Sequence, residues 1–279
     1  GPLASADFRV VVRVRPNLVG ERLGEAGDAL ICDGSIVTAR HDDGLGPAPA
    51  YSFTFDAAFS PTDGQEQVYE HAAAPAVGSI LAGFNASIIA YGHTGAGKTF
   101  TMDGARAPAD ARGIIPRAIH GIFSQLQRET SPSKRFLVRA GYLQIYNEVV
   151  SDLLRPDRTG LSIRHDKRRG VHVHNLSEWV VTCFEEVEQL LRRGGEQRAT
   201  AATVANDASS RSHAVFTVTL EQCTSLPLHD EATGIDATYA FGRSKGCGVG
   251  LCLDGLCLDS RGCADGSGGA NGDDGGGSG

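Results

Sequence analysis

Residues 92–104 read G-H-T-G-A-G-K-T-F-T-M-D-G, and the first eight of them match the P-loop pattern. The glycines let the backbone curl so that successive amide groups face a phosphate without crowding by a Cβ atom. Lys98 would bring a positive charge to the outer phosphates, and the Thr99 hydroxyl would ligate the accompanying Mg²⁺. An apolar run at 86–91 predicts a buried strand directly before the loop. This context favours a nucleotide-phosphate site over a glycine-rich turn that merely precedes Lys-Thr.

The composition is that of a protein with a real core and no membrane segment. Of the 279 residues, 41% are hydrophobic, which fits one large α/β domain or two small ones. No apolar run approaches the length of about 18 residues that a membrane-spanning helix needs, and no secretory signal is visible. We therefore expect a cytosolic or nuclear location. We also expect neither a membrane nor a nucleic acid as partner.

The last 57 residues differ from the rest. The tail at 223–279 holds fifteen of the 36 glycines and five of the seven cysteines. Its eight acidic and three basic residues give it a charge of −5, which leaves −2 of the total −7 for residues 1–222. The cysteine spacings lack the C-x-x-C signature of a structural zinc site. A composition so rich in glycine and so poor in apolar residues predicts disorder, so we place a domain boundary at 222/223.

Between the two ends, hydrophobic periodicity predicts alternating strands and helices. Alternating apolar residues predict strands at 8–16, 51–55, 136–146 and 214–220, with a small outlying strand at 36–38. Apolar residues at three- and four-residue intervals predict helices at 63–83, 114–126 and 185–193. Short apolar runs at 161–163 and 171–173 predict a hairpin. This alternation predicts an α/β fold with a sheet flanked by helices.

Four blocks of sequence carry a resemblance to one family. They are V-R-V-R-P at 12–16, A-Y-G-H-T-G-A-G-K-T-F-T-M-D-G at 90–104, G-Y-L-Q-I-Y-N-E at 141–148 and N-D-A-S-S-R-S-H at 206–213. Together they resemble the kinesin motor domain over about residues 7–222, in the family's order. The resemblance implies a P-loop NTPase-type central sheet flanked by helices. It also implies ATP and Mg²⁺ as cofactors, microtubule-stimulated ATP hydrolysis for microtubule-based movement, and a place on the microtubule cytoskeleton in the cytoplasm.

For the nucleotide, the resemblance implies an adenine pocket beside the P-loop. Arg13, Arg15 and Pro16 would line this pocket, and the aromatic ring of Phe100 would stack on the base. Without the resemblance, the two arginines are better explained as an exposed strand face. The P-loop residues that we expect to contact ATP are Gly92, His93, Thr94, Gly95, Ala96, Gly97, Lys98 and Thr99.

The block at 206–213 resembles switch I, a loop that orders around the terminal phosphate and its Mg²⁺. The resemblance implies that Asn206 contacts the nucleotide, that Ser209 and Ser210 help to hold the attacking water, and that Ser210 also ligates the metal. Arg211 would pair with a glutamate of switch II. Taken alone, S-S-R-S-H is more simply a polar loop before a strand.

A cationic turn lies between the two predicted hairpin strands. It contains Arg164, Lys167, Arg168 and Arg169, and the resemblance implies that it contacts tubulin. Because the tubulin surface is acidic, a protruding cationic hairpin would attract it electrostatically. A solvated charge cluster with no partner is the alternative interpretation.

One block that the family should have is missing. After Leu220 we find no D-L-A-G-S-E segment, so the sequence predicts a motor fold that is incomplete at its C-terminal side. A nucleotide- or microtubule-binding fragment without hydrolysis is therefore a second hypothesis. An unrelated P-loop NTPase or kinase is a third, and the S-S-R-S-H block argues against it.

Overall fold

The computed structural model describes residues 8–18, 30–40, 50–131, 133–167, 170–204, 211–224 and 246–252. Within these ranges, strands and helices alternate along most of the chain. The strands are β1 (Val11–Arg13), β2 (Leu30–Asp33), β3 (Ile36–Arg40), β4 (Ala50–Thr54), β5 (Ala57–Phe59), β6 (Ala86–Ile89), β7 (Lys134–Tyr146), β8 (Val149–Asp152), β9 (Ile163–Asp166), β10 (Gly170–Val173), β11 (Trp179–Val181), β12 (His213–Thr224) and β13 (Gly246–Cys252). The helices are α1 (Gln65–Ala72), α2 (Ala74–Leu81), α3 (Lys98–Met102), α4 (Ile114–Arg128) and α5 (Phe184–Val204).

The central sheet is built around two long antiparallel strands. β7 and β12 pair from Lys134 opposite Thr224 to Ile145 opposite His213. In the described part of the chain the sheet runs in the order β11-β7-β12-β13-β6, and β8 pairs with the end of β7. The sequence predicted both long strands because their apolar residues are numerous and β-branched. The P-loop strand β6 lies at one edge of this order.

The two faces of the sheet are covered differently. Successive strand residues point to opposite faces, and Tyr142 and Phe216 accordingly join the main core with residues of α1, α2, α4 and α5. Leu143 and Val215 point the other way and pack with residues such as Val150 of β8 and Val173 of β10. Among the described residues, the helices therefore cover one face and strands cover the other.

The tail contributes a strand to this sheet. β13 pairs in parallel with the P-loop strand β6, with Cys252 opposite Ile89, and antiparallel with β12. For residues 246–252 the prediction of disorder is wrong, because two neighbouring strands bind their backbone from both sides. The predicted boundary at 222/223 also falls inside β12. Residues 225–245 and 253–279 lie outside the described ranges.

Two helices differ from their predicted extent. The single helical segment predicted at 63–83 is divided at Ala73, because Pro75 has no amide hydrogen to continue α1 and instead lies in the first turn of α2. α5 continues eleven residues beyond the predicted end at 193. The paired glycines Gly194 and Gly195 are poor helix formers, yet the residues after them are good ones. By contrast, α4 begins at the predicted residue and ends two residues later than predicted.

In the described part of the chain, three smaller sheets lie outside the central one. β2, β3 and β4 form an antiparallel sheet, and β9 pairs with β10 in the predicted hairpin. β1 pairs in parallel with β5, which brings Arg13 opposite Phe59. None of the helices in the described ranges has the length and apolar character that a bilayer crossing requires.

Candidate functional site

The P-loop is a tight turn between β6 and α3. Gly95 and Gly97 have φ angles of 82° and 91°, in the left-handed region that glycine adopts at little cost. A Cβ atom at Gly95 would meet no atom within 4 Å, so this side of the loop is open. At Gly92 the same atom would lie 2.9 Å from the Cβ atom of Ala96, so the turn is too tight for a larger residue. The predicted order of strand, glycine turn and helix is therefore present.

Lys98 lies across this turn. Its Nζ atom donates hydrogen bonds to the carbonyl oxygens of Gly92, at 2.9 Å, and of His93, at 3.1 Å. Thr99 follows in the first turn of α3 and is exposed. A cationic side chain and a hydroxyl group thus lie together at the open loop. This is the chemistry that the phosphates and Mg²⁺ of a nucleotide require.

The donor set fits MgATP. Curled loop backbone, an ammonium group and a neighbouring hydroxyl suit phosphate oxygens, and Thr99 is an oxygen ligand of the type that Mg²⁺ prefers. In the described ranges, no group of three or more His, Cys, Asp or Glu side chains could hold a metal ion. Among the described residues, Thr99 is therefore our candidate metal ligand, acting together with the phosphates.

Arg13 connects β1 to the residues after the P-loop. Its Nη1 atom donates hydrogen bonds to Oε1 of Gln65, at 2.7 Å, and to the Thr101 hydroxyl, at 3.0 Å. The guanidinium group lies 5.1 Å from the ring centroid of Phe100, a cation–π distance. Burial lowers the pKa of Arg13, and the negative charge of Asp63 opposes that shift. Arg13 is therefore half-buried and holds β1 to the residues after the P-loop. It is not part of an exposed strand face.

Arg15, Pro16 and Phe100 complete the predicted adenine side. A Cβ atom at Gly97 would lie 4.0 Å from both Cβ and Cδ of Arg15, so this arginine packs against the P-loop. Arg15 also donates from Nη1 to the carbonyl oxygen of Pro16 at 2.9 Å. Phe100 is 49% exposed and so keeps accessible ring surface. The structure brings these residues together beside the P-loop, and adenine contact stays a prediction.

Gln65 is a site residue that the sequence reasoning missed. It is 4% exposed, accepts the bond from Arg13 and donates from Nε2 to the carbonyl oxygens of Phe100, at 2.7 Å, and Ala111, at 3.2 Å. It therefore ties β1, α3 and the following loop together. The only sequence signal was a polar residue at the start of a helix, which did not distinguish it from its neighbour Gln67.

The block at 206–213 is only partly described. Asn206, Ser209 and Ser210 lie outside the described residues, so their predicted contacts stay predictions. Arg211 is exposed, Ser212 is 3% exposed and His213 begins β12. The described end of the predicted switch segment therefore passes from an exposed arginine through a buried serine into the first residue of a central strand.

Asp103 ends α3 on the inner side of the site. Its amide donates to the carbonyl oxygen of Thr99 at 2.8 Å, and its own carbonyl oxygen accepts a bond from Gly113 at 3.0 Å. The Oδ1 atom is shielded from solvent, with no hydrogen-bond partner among the described residues. Burial raises the pKa of Asp103 to about 6, although the positive charge of Arg198 lowers it.

The cationic hairpin is described only in part. Arg164 and Lys167 are exposed, whereas Arg168 and Arg169 lie outside the described residues. Arg164 lies in β9 and not in the turn, and it donates from Nε to the Ser162 hydroxyl at 3.3 Å. The exposure of the two described cations is compatible with both interpretations, a contact with tubulin and a solvated charge cluster.

Comparisons with known proteins agree on one family. The family model of the kinesin motor domain matches residues 13–235. Kinesin-like protein klp-20 of Caenorhabditis elegans is 42% identical over 219 residues, which cover 77% of this chain and 33% of that protein. Kinesin-like protein KIF3C of Bos taurus is 36% identical over 222 residues, covering 78% and 28% respectively. The chain thus spans a third or less of the length of these two relatives.

A solved structure gives the same result at the level of the fold. The structure of a fast kinesin, reported for its ATPase mechanism and interactions with microtubules, aligns with a TM-score of 0.74 at 32% identity. The alignment covers 93% of this chain and 69% of that one. The match of the family model extends thirteen residues beyond the predicted boundary at 222.

Proposed function

Because the chain belongs to the kinesin motor-domain family, we propose that it binds MgATP at its P-loop and hydrolyses ATP with stimulation by microtubules. The observation that carries the proposal is the position of Lys98 across an open turn with two left-handed glycines. When bound, MgATP supplies the phosphoryl group to be transferred to water and the metal ion that polarises it. The residues of the chain bind this nucleotide, orient it and neutralise its negative charge.

Lys98 is the principal charge-stabilising residue in this proposal. Its Nζ atom would exchange its bonds to the loop carbonyls of Gly92 and His93 for bonds to phosphate oxygens. The amides of 92–99 would surround the same oxygens, and the Thr99 hydroxyl would ligate Mg²⁺. Such preorganised donors act where negative charge grows during phosphoryl transfer.

The base would lie on the exposed ring of Phe100. The guanidinium of Arg13 lies over that ring, and the bonds of Arg13 to Gln65 and Thr101 hold it there. Arg15 and Pro16 would form the side of this pocket nearest to Gly97. This arrangement supports a planar aromatic ligand, such as a purine, beside the phosphate site.

The remaining roles extend the family resemblance to residues 206–211. We propose that Asn206 contacts the nucleotide, that Ser209 and Ser210 orient the attacking water, and that Ser210 also contacts the metal. Arg211 would pair with a glutamate of switch II. The hairpin cations Arg164, Lys167, Arg168 and Arg169 would contact the acidic surface of tubulin, so that the protein works on the microtubule cytoskeleton in the cytoplasm.

Phosphate release from ATP by the 279-residue chain tests this proposal, measured with and without polymerised tubulin. We expect Lys98→Ala to reduce release by at least about a hundredfold, because it removes the ammonium group from the phosphate site. The matched control is Lys134→Ala, which removes a lysine at the start of β7 that pairs with Glu129. This control should retain the full rate.

Two results would contradict parts of the proposal. If Lys98→Ala and Lys134→Ala released phosphate at the same rate, the P-loop would not be the catalytic site. If release depended on Lys98 but polymerised tubulin left the rate unchanged, the chain would be an ATPase without microtubule stimulation. ATP binding that depends on Lys98, without any release, would support the fragment hypothesis.

A further inference from the structure

The start of β12 is anchored by an arginine of α5. The guanidinium of Arg198 donates from Nε to the hydroxyl of Ser212, at 3.2 Å, and from Nη2 to the carbonyl oxygen of Ser212, at 2.8 Å. Ser212 is 3% exposed, so both bonds are shielded from bulk water. A planar guanidinium group can make two such bonds to one residue at fixed geometry.

The same guanidinium also acts electrostatically on the end of the P-loop helix. Its positive charge acts on Asp103, the residue that ends α3. Asp103 is fixed in turn, because its backbone bonds to Thr99 and Gly113 and its Oδ1 atom is shielded from solvent. Arg198 therefore joins α5 by hydrogen bonds to the residue at which the 206–213 block enters the central sheet, and its charge acts on the end of the P-loop helix.

This connection has a mechanical consequence. Arg211 is exposed, whereas the next residue, Ser212, is buried and held by charge-assisted bonds. Bonds to a charged donor are stronger than neutral ones and lose more when the partner geometry is wrong. The order of the chain at 211–213 should therefore depend on the guanidinium fork and not merely on a positive charge at position 198.

We propose that Arg198 is a positioning residue that fixes the end of the 206–213 block against α5, and that this anchor couples the block to bound nucleotide. The first half rests on the contacts of Arg198 alone. The coupling to nucleotide rests on the function proposed above.

Limited trypsin digestion of the full chain tests the anchor, because trypsin cleaves after the exposed Arg211. The rate of cleavage at the Arg211–Ser212 bond is followed by mass spectrometry. Arg198→Lys keeps the charge but cannot reproduce the fork, and we expect cleavage to be about tenfold faster. Ser212→Ala removes only the hydroxyl acceptor, so it should give a smaller increase.

Two controls separate anchoring from general loss of structure. Arg192→Lys is the matched variant, since Arg192 lies on the same helix and pairs with Glu196 at the surface. It should leave the rate unchanged. Cleavage after Arg139, next to the buried Ala140 of β7, reports global unfolding and should not increase in Arg198→Lys. The proposal would be overturned if Arg198→Lys and Arg192→Lys were cleaved at Arg211–Ser212 at equal rates. It would also be overturned if cleavage after Arg139 increased in parallel in Arg198→Lys.

Adding MgATP tests the coupling. We expect it to slow cleavage at Arg211–Ser212 in the unsubstituted chain and in Arg192→Lys, but not in Arg198→Lys. Protection that persists in Arg198→Lys would overturn the coupling. If MgATP protected no variant and Lys98→Ala behaved like the unsubstituted chain, the proposed nucleotide function would fail. The anchor would then still be judged by the rates without nucleotide.

Discussion

Replacing Gly194 by alanine should destabilise the protein, although alanine normally favours a helix. Gly194 is buried on the face of α5 that packs against β7. A Cβ atom there would overlap Cδ1 of Tyr142 and lie 2.7 Å from Cε1. Tyr142 is 2% exposed, and its ring contacts the fully buried ring of Phe216 edge-on, with centroids 5.5 Å apart. The ring cannot move aside without disturbing that pair.

The neighbouring Gly195 provides the matched control. It is exposed, and a Cβ atom there would meet no atom within 4 Å. Gly195→Ala should therefore show only the gain in helix propensity, which stabilises by up to about 1 kcal/mol. Gly194→Ala has the same gain, but overpacking of a rigid core costs about 1–3 kcal/mol. We expect the two variants to differ by about 2 kcal/mol in free energy of unfolding, with Gly194→Ala the less stable.

Urea denaturation of the full chain, followed by circular dichroism, measures this difference. For a chain of this size, about 2 kcal/mol corresponds to several degrees in Tm, so thermal unfolding provides a second measurement. A Gly194→Ala variant as stable as Gly195→Ala would refute the packing argument. It would mean that α5 can move away from β7 at little cost.

Two further predictions concern Asp103 and the tail strand. Because burial raises the pKa of Asp103 to about 6, the folded chain keeps this proton where the unfolded chain has lost it, and stability falls as pH rises from about 4 through 6. At pH 7.5, Asp103→Asn should therefore be more stable than the unsubstituted chain by about 2 kcal/mol in free energy of unfolding, measured by urea denaturation. Near pH 4 the two should be equally stable. An equal difference at both pH values would contradict this prediction. A chain ending at Thr224 lacks β13 and should lose nucleotide affinity, measured with a fluorescent ATP analogue, whereas one ending at Cys252 should retain it. Equal affinity would show that the P-loop strand does not need this neighbour.

Much of the fold and of the site was predictable from short, strongly patterned segments. β7, β12 and α4 have dense apolar periodicity, and this kind of signal depends little on distant contacts. The P-loop was predictable because local backbone geometry requires its glycines and the charge of the phosphates requires Lys98. The proximity of Arg13, Arg15 and Phe100 came from the family resemblance and not from periodicity, which favoured an exposed strand face for the two arginines.

Other features depend on contacts between distant segments. Gln65 became recognisable only when β1, α3 and the loop at Ala111 were placed around it. The length of α5 was hidden because two adjacent glycines usually end a helix. Gly194 allows the close approach of Tyr142, a residue 52 positions earlier in the chain. No window of local sequence contains that contact.

The tail strand shows why composition alone misled us. Residues 246–252 alternate glycine with apolar residues, G-C-G-V-G-L-C, which is the period of a strand, but three glycines in seven residues favour disorder by entropy. That inference holds for a segment with no partner. β13 lies between β6 and β12 and pairs with both. Without it, the backbone groups of β6 and β12 that face this position would be unpaired. Backbone pairing does not depend on side chains, so a glycine-rich segment can be ordered where a sheet has a vacant central position. The order of the tail strand is therefore a property of the sheet that receives it.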